Sequence, residues 1–111
     1  MLSSALHWLR SQQHASGLVQ SFDGFLTDNA YSYDQAIAVI ALLTNSSSQS
    51  SANFIAAKKT LTFLHQALLT VNGAATAWRV PFAWSIETRQ PIGSNCGVHT
   101  YPTEVIVVMC Y

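Results

Sequence analysis

The stretch Tyr31–Leu43 reads YSYDQAIAVIALL and joins a polar, aromatic entrance to an apolar body. Ser32 and Gln35 have the spacing of a capping box, in which each side chain satisfies a free backbone N–H group at the start of a helix. Asp34 then falls in the first turn, where the helix dipole favours a negative charge. The sequence therefore predicts a helix from about Ser32 to Thr44.

The body of this helix, from Ala36 to Leu43, contains no polar residue. A helix that is apolar on every side is normally surrounded by other elements. We therefore expect neighbouring elements to cover this helix completely. Its entrance, which holds Tyr31, Tyr33 and Asp34, would then face a shared hollow at the mouth of a helical assembly.

The length of 111 residues predicts a single domain over residues 1–111. Half of the residues are hydrophobic and only 9% are charged, whereas about a quarter is typical. Either uncharged polar residues cover the surface, or apolar surface meets a partner. The net charge is zero and the basic residues form no run longer than two. Nucleic-acid binding depends on many Lys and Arg contacts, so no nucleic-acid partner is expected.

The cysteines and the apolar runs argue against a metal site, a signal peptide and a membrane span. Cys96 and Cys110 allow one disulfide or two free thiols, and two free buried thiols are favoured because free Cys behaves as a small hydrophobe. Cys96 and His99 have ligand-like spacing, but structural zinc usually needs four ligands, so no metal or cofactor is predicted. The start is not typical of a signal peptide. No apolar run approaches the roughly 20 residues of a membrane span.

Two further helices are predicted from periodicity. Residues 2–14 carry apolar side chains at helical spacing, and Gly17 is expected to end this segment in the left-handed conformation. A Ser-rich turn over residues 45–51 leads to a third helix, from about Ser51 to Thr70, with one apolar stripe and one polar face.

The last third of the chain has a different character. Residues 77–84 are aromatic with a Pro in the middle, which is typical of extended structure. A final helix is predicted from Tyr101 and Pro102, because Pro suits the first helical position and Glu104 suits the first turn. Residues 105–108 favour a strand by intrinsic preference, but the neighbouring elements are helical. The predicted fold is all-α, an array of helical hairpins with long aromatic loops.

Several motifs resemble those of the six-hairpin, (α/α)-toroid glycosidase-like proteins. One is Leu6-His7-Trp8-Leu9 followed by Gln12-Gln13 and residues 16–22, and another is the run 31–36 followed by Ala38 and Ala41. In that family an inner helix often opens with a Tyr-x-Tyr-Asp-x-Ala entrance, and a later hairpin ends in a Gly-Asn-like turn. Residues 93–97 correspond to that turn. The resemblance implies a partial (α/α) toroid of about two hairpins, as a fragment or truncated member.

The resemblance also implies a carbohydrate-active protein that binds or hydrolyses a glycan at the mouth of the array. Glycoside hydrolysis normally needs two carboxylates across a cleft. Asp34 is the predicted acid, and Asp23 and Asp28 are its candidate partners from the preceding loop. The alternatives are a dipole-stabilising role for Asp34 and ordinary turn chemistry for the other two.

An aromatic platform is predicted beside these carboxylates, because sugar rings pack their C–H faces on aromatic side chains. The predicted substrate-binding residues are Tyr31, Tyr33, Gln35, Trp78, Arg79 and Trp84. The alternative for the large aromatics is packing in the core.

The sequence suggests two other functions. A non-catalytic all-α interaction domain would explain the low charge, since exposed apolar patches mark partner surfaces. Its partner would be a second copy of the chain or the remainder of a toroid. The segment from Gln12 to Phe22 is also similar to the Gln-x-x-x-Gly repeats of terpene-cyclase-like toroids, but the Asp-rich motif of that class is missing.

Overall fold

The computed structural model describes residues 2–22, 28–72, 79–92 and 108–110. Three helices and five short strands lie within these ranges. In chain order they are α1 (Leu2–Ser11), β1 (Asn29–Tyr31), α2 (Ser32–Thr44), α3 (Ala52–Asn72), β2 (Arg79–Pro81), β3 (Ala83–Ser85), β4 (Pro91–Ile92) and β5 (Val108–Cys110).

The fold combines helices with β-sheet, so the predicted all-α array of helical hairpins, a partial toroid, is wrong. β1, β3 and β4 form an antiparallel sheet in the order β1-β3-β4, with Ala30 opposite Trp84 and Ala83 opposite Ile92. Strand pairing joins residues that are distant in sequence. The sequence around β1 has no alternation of apolar and polar residues that would predict a strand. The segment 77–84 was predicted to be extended, and its described residues do form β2 and most of β3, but the pairing of these strands was not predicted.

The end of the chain also departs from the prediction. Val108–Cys110 is a strand that pairs in parallel with β2, where Arg79 lies opposite Val108 and Pro81 opposite Cys110. The predicted final helix is therefore wrong at these residues, where the intrinsic strand preference of the Val-rich segment prevails. The rest of that predicted helix lies outside the described residues, as do Cys96, His99 and the turn at 93–97.

The three helices were predicted correctly, and α2 has its predicted bounds. α1 ends at Ser11, short of the predicted end at His14. α2 and α3 form the main helical contact of the fold. One core cluster unites all three helices and contains Leu6, Val39, Leu42, Ala56 and Ala57. The alanines of α3 bring the two backbones close, because they place no bulk between the helices.

A second core cluster ties the sheet to α3. Leu18, Ala30 and Trp84 are buried there, with Phe63 packed against them. The rings of Phe63 and Trp84 meet edge to face, with centroids 5.5 Å apart and an angle of 85° between their planes. The indole Nε1–H of Trp84 donates a hydrogen bond to Ser32 Oγ at 3.0 Å. One side chain of β3 thus holds the sheet against both α2 and α3.

The turn after α1 is fixed to α3 through its glycine. Gly17 has φ 101°, the left-handed conformation that the sequence predicted, and a Cβ atom there would collide with the backbone oxygen of Lys59. The carbonyl of Gly17 accepts a hydrogen bond from Thr60 Oγ1 at 2.6 Å. Gln13 Nε2 donates to Ala56 O at 2.8 Å. Only glycine combines this conformation with so close an approach.

Candidate functional site

The entrance of α2 is built differently from the predicted capping box. Tyr31 is the N-cap residue and makes no side-chain capping hydrogen bond. Ser32 and Gln35 turn inward: the hydroxyl of Ser32 donates to the carbonyl of Pro81. The capping box is therefore wrong, because both polar side chains are used by tertiary contacts.

Gln35 is a fully buried bridge between α2 and the segment after α1. Its Oε1 accepts a hydrogen bond from Val19 N at 2.7 Å, and its Nε2 donates to Val19 O at 2.7 Å. Both polar ends of the amide are therefore occupied by one backbone unit. A side chain held in this way, with no exposed surface, has no donor or acceptor facing a ligand.

Trp84 is also placed in the interior. It is 1% exposed, its ring packs on Phe63 and its N–H group is bonded to Ser32. The structure thus gives this predicted platform residue the alternative role of core packing. Asp23, Trp78 and the side chain of Arg79 lie outside the described residues.

Asp28 closes the turn between β3 and β4. Its carboxylate accepts hydrogen bonds from Ser85 Oγ at 2.6 Å and from the backbone N of Glu87 at 2.8 Å. The bond from Ser85, followed by that from Glu87, lowers the pKa of Asp28 below its ordinary value of 3.8. Asp28 is therefore ionised at neutral pH and committed to its turn, which makes it a poor general acid.

Asp28→Asn is expected to be less stable than the wild type near neutral pH, and this difference should shrink in acid. A carboxylate whose pKa is lowered by folding adds stability above its unfolded pKa and loses it as the pH falls through the folded pKa. The relevant window lies below 3.8. Urea unfolding at neutral pH and at about pH 3 measures the effect. A difference that stays the same at both pH values would contradict it.

The predicted mouth contains Tyr31, Tyr33 and Asp34, which differ in burial and in contacts. Tyr31 packs between Phe22 and Phe82, with ring centroids 5.3 and 4.8 Å away. Tyr33 is exposed and Asp34 is half-buried. Since Asp28 is held in its own turn, Asp34 is the described carboxylate that stands at the helix entrance.

The body of α2 is covered on one side only. The side chains at Ser32, Gln35, Ala38, Val39 and Leu42 are buried. On the opposite side Tyr33 is 66%, Ile37 49%, Ile40 64% and Leu43 39% exposed. The expectation that neighbours cover this helix completely is therefore wrong within the described residues.

We name these four exposed residues, Tyr33, Ile37, Ile40 and Leu43, the α2 apolar face. Their spacing of four, three and three places them in one stripe along the helix axis. None of them carries a charge. Isolated exposed apolar residues are normal, but a continuous stripe is typical of a surface that meets another molecule.

The described residues show neither a metal site nor a membrane-spanning helix. Within them, no group of three His, Cys, Asp or Glu side chains is arranged to hold a metal ion. No helix among them has the length and apolar character needed to cross a membrane. Comparison with protein-family models, with curated proteins and with solved structures finds no match to this chain.

The sequence already contained the signal for the α2 apolar face, in the run of apolar residues from Ala36 to Leu43. Such a run predicts a buried helix, because helices that are apolar on every side usually are buried. The pattern cannot tell whether the second face is covered by the same chain or by another molecule. The structure shows that the described part of the chain leaves this face exposed.

Proposed function

We propose that this protein is a non-catalytic interaction module that associates through the α2 apolar face with a second copy of itself. The observation that carries the proposal is the exposure of four large apolar side chains on one stripe of a helix whose other side is already buried. The low share of charged residues, 9%, supports it.

A second copy suits this surface because the face is uncharged. Two identical charged patches would repel, whereas two neutral apolar stripes can pack around a twofold axis. Ile37 and Ile40 lie near the middle of α2. A twofold axis that passes between them brings Ile37 of one copy against Ile40 of the other, with the helices antiparallel.

The expected affinity follows from the size of the face. Burying the exposed half of each large apolar side chain contributes about 1 kcal/mol, or about 8 kcal/mol for the four side chains of two copies. Loss of free motion on association costs at least about 4 kcal/mol. At this minimum cost the remainder is about 4 kcal/mol, which corresponds to a Kd of about 1 mM. The dimer is therefore weak and depends on concentration.

Ile40→Glu is the variant that tests the association. A carboxylate at the centre of the stripe must lose its water when two faces pack, so we expect dimer formation to weaken at least tenfold, or by about 1.4 kcal/mol. Translational diffusion measured by NMR should slow for the wild type as its concentration approaches about 1 mM, where half of the chains are paired. The variant should diffuse as a monomer throughout.

Leu61→Glu is the matched control, because Leu61 is 45% exposed on α3 and lies outside the α2 apolar face. It adds the same charge and should leave the dimer intact. Monomeric diffusion of the wild type at about 1 mM, or equal weakening by both variants, would contradict the proposal.

Glycan binding at the entrance of α2 stays a prediction. The exposed ring of Tyr33 beside the half-buried Asp34 supports it, since a Tyr ring offers an apolar face with a polar tip. Hydrolysis has weaker support, because Asp28 is held in its own turn.

A further inference from the structure

A second surface of interest lies along α3 and shares no residue with the α2 apolar face. It is a cleft of about 600 Å³, bordered by the turn at Ala15 and Ser16, by the outer side of α3 and by Arg89. We name it the α3 cleft. Its volume is within the range of about 300–1,000 Å³ that is usual for small-molecule sites.

The charged side chains described along the α3 cleft are all positive. Lys58, Lys59 and Arg89 line it, and none of the Asp and Glu residues that the structure describes does. They are three of the five basic residues of the whole chain. Among the described residues, none of the three side chains is engaged in an ion pair. The nearest acidic residue in sequence, Glu87, lies two positions before Arg89 and does not line the cleft. A concentration of unpaired cations in a concave surface attracts anions.

The rest of the lining is apolar or neutral. Phe54 and Phe63 are half-buried, and Ile55 is exposed one helical turn before Lys58 and Lys59. Thr62 and Gln66 add neutral hydrogen-bonding groups. An apolar base with a few polar groups and a charged rim is typical of sites that take an organic molecule with one charged end.

Arg89 occupies a strained position beside this cleft. Its φ is 61°, in the left-handed region that costs a residue with a Cβ atom roughly 1–2 kcal/mol relative to its usual conformation. It follows the Ser85–Thr88 turn and donates its backbone N–H to Ser85 O at 2.8 Å. Glycine would fill the same turn without that strain. Residues held in such conformations cluster at functional sites.

We infer that the α3 cleft binds a small organic anion, a molecule with a carboxylate or phosphate group attached to an apolar body. Lys58, Lys59 and Arg89 attract the anionic group, and Phe54 and Phe63 pack against the apolar body. The inference is independent of association through α2, since the two surfaces have no residue in common.

Titration with three probes of similar shape tests the chemistry. Phenyl phosphate, benzoate and the neutral benzyl alcohol are each added to the full chain, up to about 10 mM, while backbone amide shifts are followed by NMR. We expect both anions to shift the amides of Lys58, Lys59 and Arg89, and to bind more weakly at high salt because ions screen the attraction. Tighter binding of phenyl phosphate identifies phosphate as the preferred group, and tighter binding of benzoate identifies carboxylate.

Arg89→Gly and Lys59→Gln separate binding from folding. Arg89→Gly removes a cation while it relieves the turn, so its thermal midpoint should match or exceed that of the wild type. Lys59→Gln removes a cation from an exposed helical position. Each is expected to raise the Kd for the preferred anion at least fivefold. Arg10→Gln is the matched control, because Arg10 bonds to Asn53 away from the cleft, and it should leave that Kd unchanged.

Three results would overturn the inference. One is equal binding of benzyl alcohol and the anions, and another is the same loss of affinity in Arg10→Gln as in the two cleft variants. The third is the absence of shifts at Lys58, Lys59 and Arg89 with phenyl phosphate at about 10 mM.

Discussion

Trp84→Ala is expected to lower the free energy of unfolding by about 4 kcal/mol, the usual range for a buried Trp being about 3–5 kcal/mol. The indole is 1% exposed and fills the cluster that holds the sheet on α3. Its loss leaves a cavity beside Phe63 and removes the hydrogen bond to Ser32 Oγ. Small domains have a total stability of only about 5–15 kcal/mol, so much of the population should be unfolded under mild denaturing conditions.

Trp8→Ala is the control for this variant, because Trp8 is 61% exposed on α1. The same atoms are removed, but little buried surface is lost, and the change should remain within about 0.5 kcal/mol. Urea unfolding followed by circular dichroism measures both variants on one scale. A similar loss in the two variants would mean that Trp84 is not the centre of the core.

Gln35→Leu should destabilise the protein by about 2–4 kcal/mol. Leucine has a similar size, but it leaves the buried N–H and C=O groups of Val19 without their partners. Each unsatisfied buried polar group costs about 1–3 kcal/mol. The gain from burying a more apolar side chain offsets part of that cost. The effect therefore comes from the polar groups left behind rather than from the volume of the side chain.

The matched control is Gln66→Leu, an exposed position on α3 where loss of the side-chain amide leaves no buried polar group without a partner. Its stability should change by no more than about 0.5 kcal/mol. Amide hydrogen exchange adds a local measurement, because Val19 N–H should lose its protection in Gln35→Leu. Retained protection of that amide, with unchanged stability, would show that Gln35 does not hold the two segments together.

Gln35 and Trp84 were both predicted from the sequence to bind substrate, but the structure buries them in the interior. Gln and Trp are residue types that often bind sugars. Gln35 lies at the entrance of α2, and Trp84 lies in the aromatic segment 77–84. The same chemistry, a bidentate amide and a large ring with one N–H group, also joins elements inside a fold. Only the position of Val19 beside Gln35, and of Phe63 beside Trp84, shows which use is made of them.

The sequence by itself determined α1, α2, α3 and the glycine turn. The bounds of α2 and the left-handed conformation of Gly17 were predicted, because helical hydrogen bonds and backbone strain act within a few residues of the chain. The tertiary structure alone decided the pairing of the strands, the inward use of Ser32 and Gln35, and the side of α2 that stays uncovered. Each of these depends on segments far apart in sequence, such as β1 and β3, whose pairing and packing no local periodicity records.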